Sequence, residues 1–187
     1  MDFTKRFGVE FLDELRFESD DFIPDIRRRC EKKLKKNSIA AENKWFLSLY
    51  EEEFRNKIVP KLEVKWINHR IGYGVFAKEK IPQLTYIGEY SGLVRKRKWR
   101  RDRYNSYIFA YSIARKLTCY LIDAKDQGGY VRFMNHSDDP NIVSHWMIVD
   151  GINHIIMHTI KAIPAGGQLT YDYGPGYWKR RTTPCDL

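Results

Sequence analysis

Arg132-Phe133-Met134-Asn135-His136-Ser137, followed by Pro140 and Asn141, is the stretch on which the reading of this chain turns. Taken alone it is a polar loop, since Asn, Ser and Pro favour turns and local backbone bonds. Three other stretches resist explanation by packing: Gly72-Tyr73-Gly74-Val75-Phe76, Gly88-Glu89-Tyr90-Ser91-Gly92 and Leu169-Thr170-Tyr171-Asp172-Tyr173-Gly174. Each has an ordinary reading when isolated. A Gly-x-Gly is usually a turn that uses glycine's backbone freedom, and a Tyr-Asp-Tyr-Gly run can end an edge strand. Their order and spacing within one region give them weight.

Around them, short runs rich in β-branched and aromatic residues alternate with Gly, Pro and Asn punctuation, the texture of a mostly β domain. Strands are predicted over 62–66, 74–77, 85–90, 107–111 and 117–123. The clearest hairpin joins 142–149 to 152–160 through Asp150-Gly151, a pair that tolerates the positive φ of a tight turn. The first sixty residues read as helical instead. Over 40–59, Phe46, Tyr50 and Phe54 recur every four residues beside Trp45 and Leu49, which places an aromatic stripe on one helix face that Pro60 closes. The basic run of Arg27, Arg28, Arg29, Lys32, Lys33, Lys35 and Lys36 within 26–36 predicts a solvated helix face. The expected architecture is mainly β with an α-helical N-terminal segment: residues 1–60 helical, packed on a β-rich domain over 61–174, with a short tail over 175–187.

With 187 residues, 43% of them apolar, the chain can bury a core, which excludes full disorder. Cys30, Cys119 and Cys185 are odd in number and far apart, so neither a disulfide framework nor a CxxC zinc cluster is assembled from them. Reduced thiols in an intracellular setting, cytoplasmic or nuclear, are expected. No apolar run approaches the roughly 20 residues that cross a bilayer, and Met1 precedes a mixed charged and aromatic stretch, so no membrane association is expected. A formal net charge of +9 favours polyanions such as nucleic acid or chromatin, through nonspecific attraction.

Taken together over roughly 62–178, the four stretches resemble the successive motifs of the SET-domain protein lysine methyltransferases. The carriers are Arg-Phe-x-Asn-His-Ser-x-x-Pro-Asn, preceded by Ile122-Asp123-Ala124 and Gly128, and the terminal Leu-Thr-Tyr-Asp-Tyr-Gly. The resemblance implies a SET fold of short β-sheets with a knot-like C-terminal threading. It implies transfer of a methyl group from S-adenosyl-L-methionine (AdoMet) to a protein lysine, with histones or histone-like proteins as substrates. It also implies roles. Gly72, Tyr73 and Gly74 form the loop that approaches the cofactor's methionine portion; Arg132, Asn135 and His136 form the segment that holds its polar groups; Tyr107 and Trp178 complete the pocket. Tyr173 is the catalytic tyrosine, and Tyr90 and Tyr171 wall the channel through which the lysine arrives. Asp172 points away from that channel, because strand neighbours alternate faces. Tyr171 stands where relatives carry Phe or Tyr, and a Tyr there implies mono- or dimethylation.

The chain also departs from the family's pattern. Asp138 occupies a position where many relatives carry a zinc-binding cysteine, so the resemblance is to compact bacterial or viral members without cysteine-rich flanks, for which secretion into a host cell is one expectation. Gly129 stands where an asparagine is usual. The cover of the cofactor must come from the tail with Tyr177, Trp178 and Arg180, from the N-terminal helices, or from a second subunit in a homodimer. The basic run between Arg95 and Arg103 falls at the family's variable insert; it reads as a solvated face or as a contact for DNA, a nucleosome or acidic protein. A non-catalytic SET-like chromatin or DNA-binding module is the alternative function.

Overall fold

The computed structural model describes residues 3–178, apart from the side chain of Trp99; Arg180 and Cys185 lie outside the described residues. In chain order the elements are α1 (Phe3–Phe7), β1 (Glu10–Phe11), β2 (Leu15–Phe17), α2 (Phe22–Leu34), α3 (Asn37–Asn56), β3 (Leu62–Asn68), β4 (Gly72–Ala77), β5 (Tyr86–Glu89) and β6 (Gly92–Lys96). There follow α4 (Trp99–Asp102), β7 (Ile108–Ile113), β8 (Lys116–Asp123), β9 (Gln127–Gly128), a 3₁₀ turn at Tyr130–Phe133, β10 (Asn135–His136), β11 (Ile142–Val149), β12 (Ile152–Thr159), β13 (Gln168–Tyr171) and α5 (Pro175–Trp178).

The predicted hairpin forms as β11 and β12, with Asp150 and Gly151 at φ 50° and 78° in the turn. It anchors a seven-stranded sheet of order β3-β4-β13-β11-β12-β5, in which β10 also pairs with β13. The last strand therefore inserts between β4 and β11. A second sheet runs β2-β6-β8-β7. Strand β6 was missing from the sequence reading. Its Arg95 and Lys96 opened the basic run and hid a ladder in which Arg95 pairs with Leu121.

Helices α2 and α3 confirm the helical N-terminal segment, which in addition holds two short strands. β1 pairs with β9 and β2 with β6, both in parallel, so the segment is stitched into the sheets rather than only packed on them. Helix α3 stops at Asn56, short of Pro60, because Lys57 takes a left-handed conformation (φ 54°) and the Ile58 N–H reaches back to the Glu53 carbonyl at 2.9 Å. Its aromatic stripe does what the spacing predicted: Phe46, Tyr50 and Phe54 pack with Tyr86, Met147, Val149 and Ile156. Asn43 on the same helix is buried against the sheet. Its amide donates to the Ile148 carbonyl at 3.1 Å and accepts from the Ile148 N–H at 2.7 Å, standing in for a strand on β11. The main core joins Ile26 and Cys30 of α2 to Tyr111, Ile122, Met157 and Leu169 of the sheets, each large apolar side chain contributing about 1.5–3 kcal/mol on burial. Among the described residues, no helix is long and apolar enough to cross a membrane.

Candidate active site

The two most distinctive motifs become neighbours through a parallel ladder: Asn135 lies opposite Thr170 and His136 opposite Tyr171. Asn141 extends the splice, its side chain donating to the Gln168 carbonyl at 2.8 Å and accepting from the Thr170 N–H at 2.9 Å. Just past β13, Tyr173 is fixed twice to the same segment. Its N–H donates to His136 Nδ1 at 3.2 Å, and its hydroxyl donates to the Met134 carbonyl at 2.7 Å. With Nδ1 accepting, the His136 ring proton sits on Nε2, which donates to Asp138 at 3.1 Å. Asp138 thus serves the histidine. Asp172 is exposed and accepts from the Gly174 N–H, facing away as the alternation predicted.

These elements enclose a cavity of about 790 Å³. Gly72, Tyr73, Tyr90, Tyr107, Arg132, Asn135, His136, Tyr171, Tyr173 and Trp178 all line it. Gly74 does not. It is buried inside β4, where an added β-carbon would lie 2.7 Å from Ile67 Cδ1, 3.0 Å from Gln168 Nε2 and 3.1 Å from Asn135 Nδ2, so glycine there makes room for these side chains. The Asn135 amide in turn donates to the Tyr73 carbonyl at 3.1 Å, joining the glycine turn to β10. Gly72 sits at φ 82° with open space beside it; the backbone angle is what demands glycine there. Trp66, Arg70, Ile71, Ser106, Phe133 and Tyr177 complete the lining. Arg70 and Ile71 could have been suspected, since they run directly into Gly72 and are turned by Asn68, whose side-chain oxygen accepts both N–H groups at 2.9 Å. Ser106 gave no signal.

Of the three expected covers, the tail supplies one. Trp178 packs on His136 (4.8 Å between rings) and parallel to Tyr173 (6.0 Å), and Tyr177 lies 4.6 Å from Tyr173. Phe7 of α1 backs Tyr73 from outside the cavity, 5.2 Å away.

A second cavity, of about 510 Å³, adjoins the first at the tyrosines. Tyr90, Ser106, Tyr171, Tyr173 and Tyr177 line both cavities, and the second continues to Arg97, Arg103, Phe109 and Leu117. Burial pushes the hydroxyls of Tyr90, Tyr171 and Tyr173 well above the ordinary tyrosine range, so all three are neutral phenols. Burial also pulls the Arg132 guanidinium down against the opposing pull of Tyr107, over whose ring it lies at 4.0 Å; it donates to the carbonyls of Ala124 and Lys125.

The basic insert is tied to this wall. Arg95, read from sequence as part of a solvated or ligand-facing run, is buried: it bonds Asp102 at 2.6 Å and Asp123 at 2.8 Å. Asp123 also accepts from Asn105 at 2.8 Å, Asn105 accepts from the Tyr107 N–H at 2.9 Å, and the Tyr107 carbonyl accepts from Tyr90 at 3.1 Å. A buried guanidinium survives only with such partners, and these hold the part of the cavity wall that Tyr90 forms. Gly129, in place of an asparagine, donates its N–H to Ser91, whose hydroxyl donates to Leu12; a β-carbon there would meet the Leu12 carbonyl at 2.9 Å.

Comparison with known proteins follows the same lines. Residues 72–174 match the SET domain family profile. The chain is 30% identical over 146 residues to Histone-lysine N-methyltransferase set-2 of Caenorhabditis elegans, a match covering 73% of this chain and 9% of that protein. It is similar to the solved structure of ctPRC2 in an autoinhibited conformation bound to S-adenosylmethionine (TM-score 0.56, 27% identity, 65% of this chain and 16% of that one). It is also similar to KRYPTONITE in complex with mCHH DNA, an H3(1-15) peptide and SAH (TM-score 0.52, 31% identity, 63% of this chain and 24% of that one).

Proposed function

The chain belongs to the SET domain family, and on that premise we propose that it is a protein-lysine methyltransferase that uses AdoMet and acts on histone or histone-like proteins in chromatin or another nucleoprotein. One observation carries the reading: two cavities meet at a shared wall of Tyr90, Tyr171 and Tyr173. The residues of the larger cavity fit the cofactor. Its volume of about 790 Å³ lies within the range of small-molecule sites, aromatic faces line it, and the buried Trp178 Nε1–H has no hydrogen-bond partner among the described residues. A buried donor left alone costs about 1–3 kcal/mol, which an acceptor on a bound ligand would offset. Gly72, Tyr73, Arg132, Asn135 and His136 would hold the polar end, Tyr107 and Trp178 the flat end. When bound, AdoMet supplies a methyl group on a positively charged sulfur.

The chain's own residues solve the problem of the nucleophile. A lysine ammonium near pKa 10.4 has no lone pair, and bringing it to neutral at pH 7 takes on the order of 4–5 kcal/mol. Tyr90, Tyr171 and Tyr173 first receive the cation on their ring faces. They then strip its water, which together with the nearby sulfonium disfavours the charged form. Being neutral phenols, they do not take the proton, which leaves to solvent through the second cavity. Tyr173, held by two bonds, fixes the line of attack, so that positioning and electrostatics supply the catalysis without a covalent enzyme intermediate. Buried Tyr171, 4.8 Å from the Tyr173 ring, limits the space around the amine and favours mono- or dimethylation.

Labelled AdoMet incubated with the protein and a mixture of histones, bacterial DNA-packaging proteins and lysate tests the reading, with Tyr173→Phe as control. Label on lysine that depends on Tyr173 is expected. DNA binding without any labelled product would favour a non-catalytic module instead.

A further inference from the structure

Outside the catalytic region, a groove of about 340 Å³ runs between α2 and the hairpin of β7 and β8. Arg28, Arg29, Lys32 and Lys33 line it from the helix, Lys36 from the junction with α3, and Lys116 from β8. The basic run read from sequence as a solvated face is therefore one wall of a concave site whose facing wall adds another cation. Among the described residues, the groove's cations find one carboxylate, Asp25, which pairs with Arg28 at 2.6 Å and Arg29 at 2.7 Å. Among the described residues, no carboxylate pairs with Lys32, Lys33, Lys36 or Lys116. Lys33 is held inward by the Ala114 carbonyl at 3.3 Å, and its pKa is lowered by burial and then by repulsion from Lys36 and Lys116. Such a cluster is unfavourable until an anion enters it.

The groove also has a direction. Leu117 of β8, 69% exposed, lines both this groove and the cavity beyond the tyrosines, so the two lie next to one another. We propose that the groove is a docking site for the phosphate backbone of duplex DNA, placed so that a lysine of a DNA-bound protein reaches the tyrosine channel while its DNA lies along α2. Phosphates form an unbroken polyanion, whereas a lysine-bearing protein tail brings cations of its own that find no carboxylate in the groove. DNA is thus favoured over the lysine-bearing tail itself, and an acidic peptide is the occupant that the test sets against it. On α2, Arg28 and Lys32 stand one turn apart, about 6 Å, presenting successive charges along the wall.

The test is DNA affinity of the full chain, by fluorescence anisotropy with a short duplex over a salt series, for wild type and for Lys32→Gln/Lys36→Gln/Lys116→Gln. These three lysines are exposed, so the replacements leave the core intact, and a thermal melt checks folding. Affinity at about 100 mM salt should fall at least about tenfold, and the slope of log affinity against log salt should shrink by about 2.7, for three lost phosphate contacts. A control variant changes three exposed lysines that do not line the groove, Lys5, Lys78 and Lys80, to Gln. Equal losses in the two variants, or none in the groove variant, overturn the proposal. So does a groove variant that loses polyglutamate binding while keeping DNA. The readout uses no methyl donor, so its failure is separable from failure of the methyltransferase reading.

Discussion

Tyr173 owes its place to a backbone N–H bonded to His136 and a hydroxyl bonded to the Met134 carbonyl. Removing only the hydroxyl leaves the ring packed against Tyr171, Tyr177 and Trp178. Tyr173→Phe should therefore bind AdoMet within about threefold of wild type by calorimetry, while single-turnover methyl transfer falls about 100-fold or more, the usual loss of one oriented polar group. Equal losses in both would make the residue structural. Tyr171→Phe widens the space beside the amine, and mass spectrometry should find product shifted toward higher methylation; an unchanged distribution would remove Tyr171 from the control of product state. Most of these residues were legible because turn chemistry and aromatic type are properties of the residue itself. Gly74 and Arg95 were misread for a shared reason: each is explained by a partner brought in by the fold. Asn135 arrives over Gly74 from another strand, and Asp123 reaches Arg95 only once β8 pairs with β6. A run of basic residues carries no mark of which one will be buried.

Among the elements, the aromatic stripe of α3 and the hairpin were visible because their periodicity and turn residues are local. Strands β1, β2, β9 and β10 are two or three residues long, and nothing local distinguishes them from loop; tertiary pairing alone makes them strands. Helix α3 is docked by features other than its stripe. Asn43→Ala would leave the Ile148 N–H and carbonyl unpaired in the interior, and urea unfolding should show a loss of about 3 kcal/mol. On the same face, His145 of β11 stacks on Phe46 at 3.5 Å, and burial lowers its pKa to about 4 despite Glu42 nearby. The folded protein thus refuses a proton that the unfolded chain accepts near pH 6.5, so stability present above that pH is lost as pH falls toward 4. Between pH 7 and 5 wild type should lose roughly 2 kcal/mol more than His145→Phe, which keeps the stack and cannot titrate. Parallel pH profiles would show that His145 does not carry the effect.

For the molecule as a whole, one threading event builds the site. Inserting β13 between β4 and β11 brings Tyr171 and Tyr173 against β10, places the glycine turn on one side, and leaves the insert held by Arg95 on the other. The two cavities share Tyr90, Tyr171 and Tyr173 in their linings, and the basic groove shares Leu117 with the smaller one alone. The four motifs made this convergence expected from sequence. The groove was not, because it needs α2 and β8 to face one another. The most direct measurement is a crystal structure with S-adenosylhomocysteine and a lysine-bearing peptide bound together. The thioether sulfur should lie in the larger cavity and the lysine amine should enter from the smaller one, the two facing each other past Tyr90 and Tyr173 with space for one methyl group between them. A sulfur and an amine entering from the same side, or separated by the closed tyrosine wall, would contradict the account.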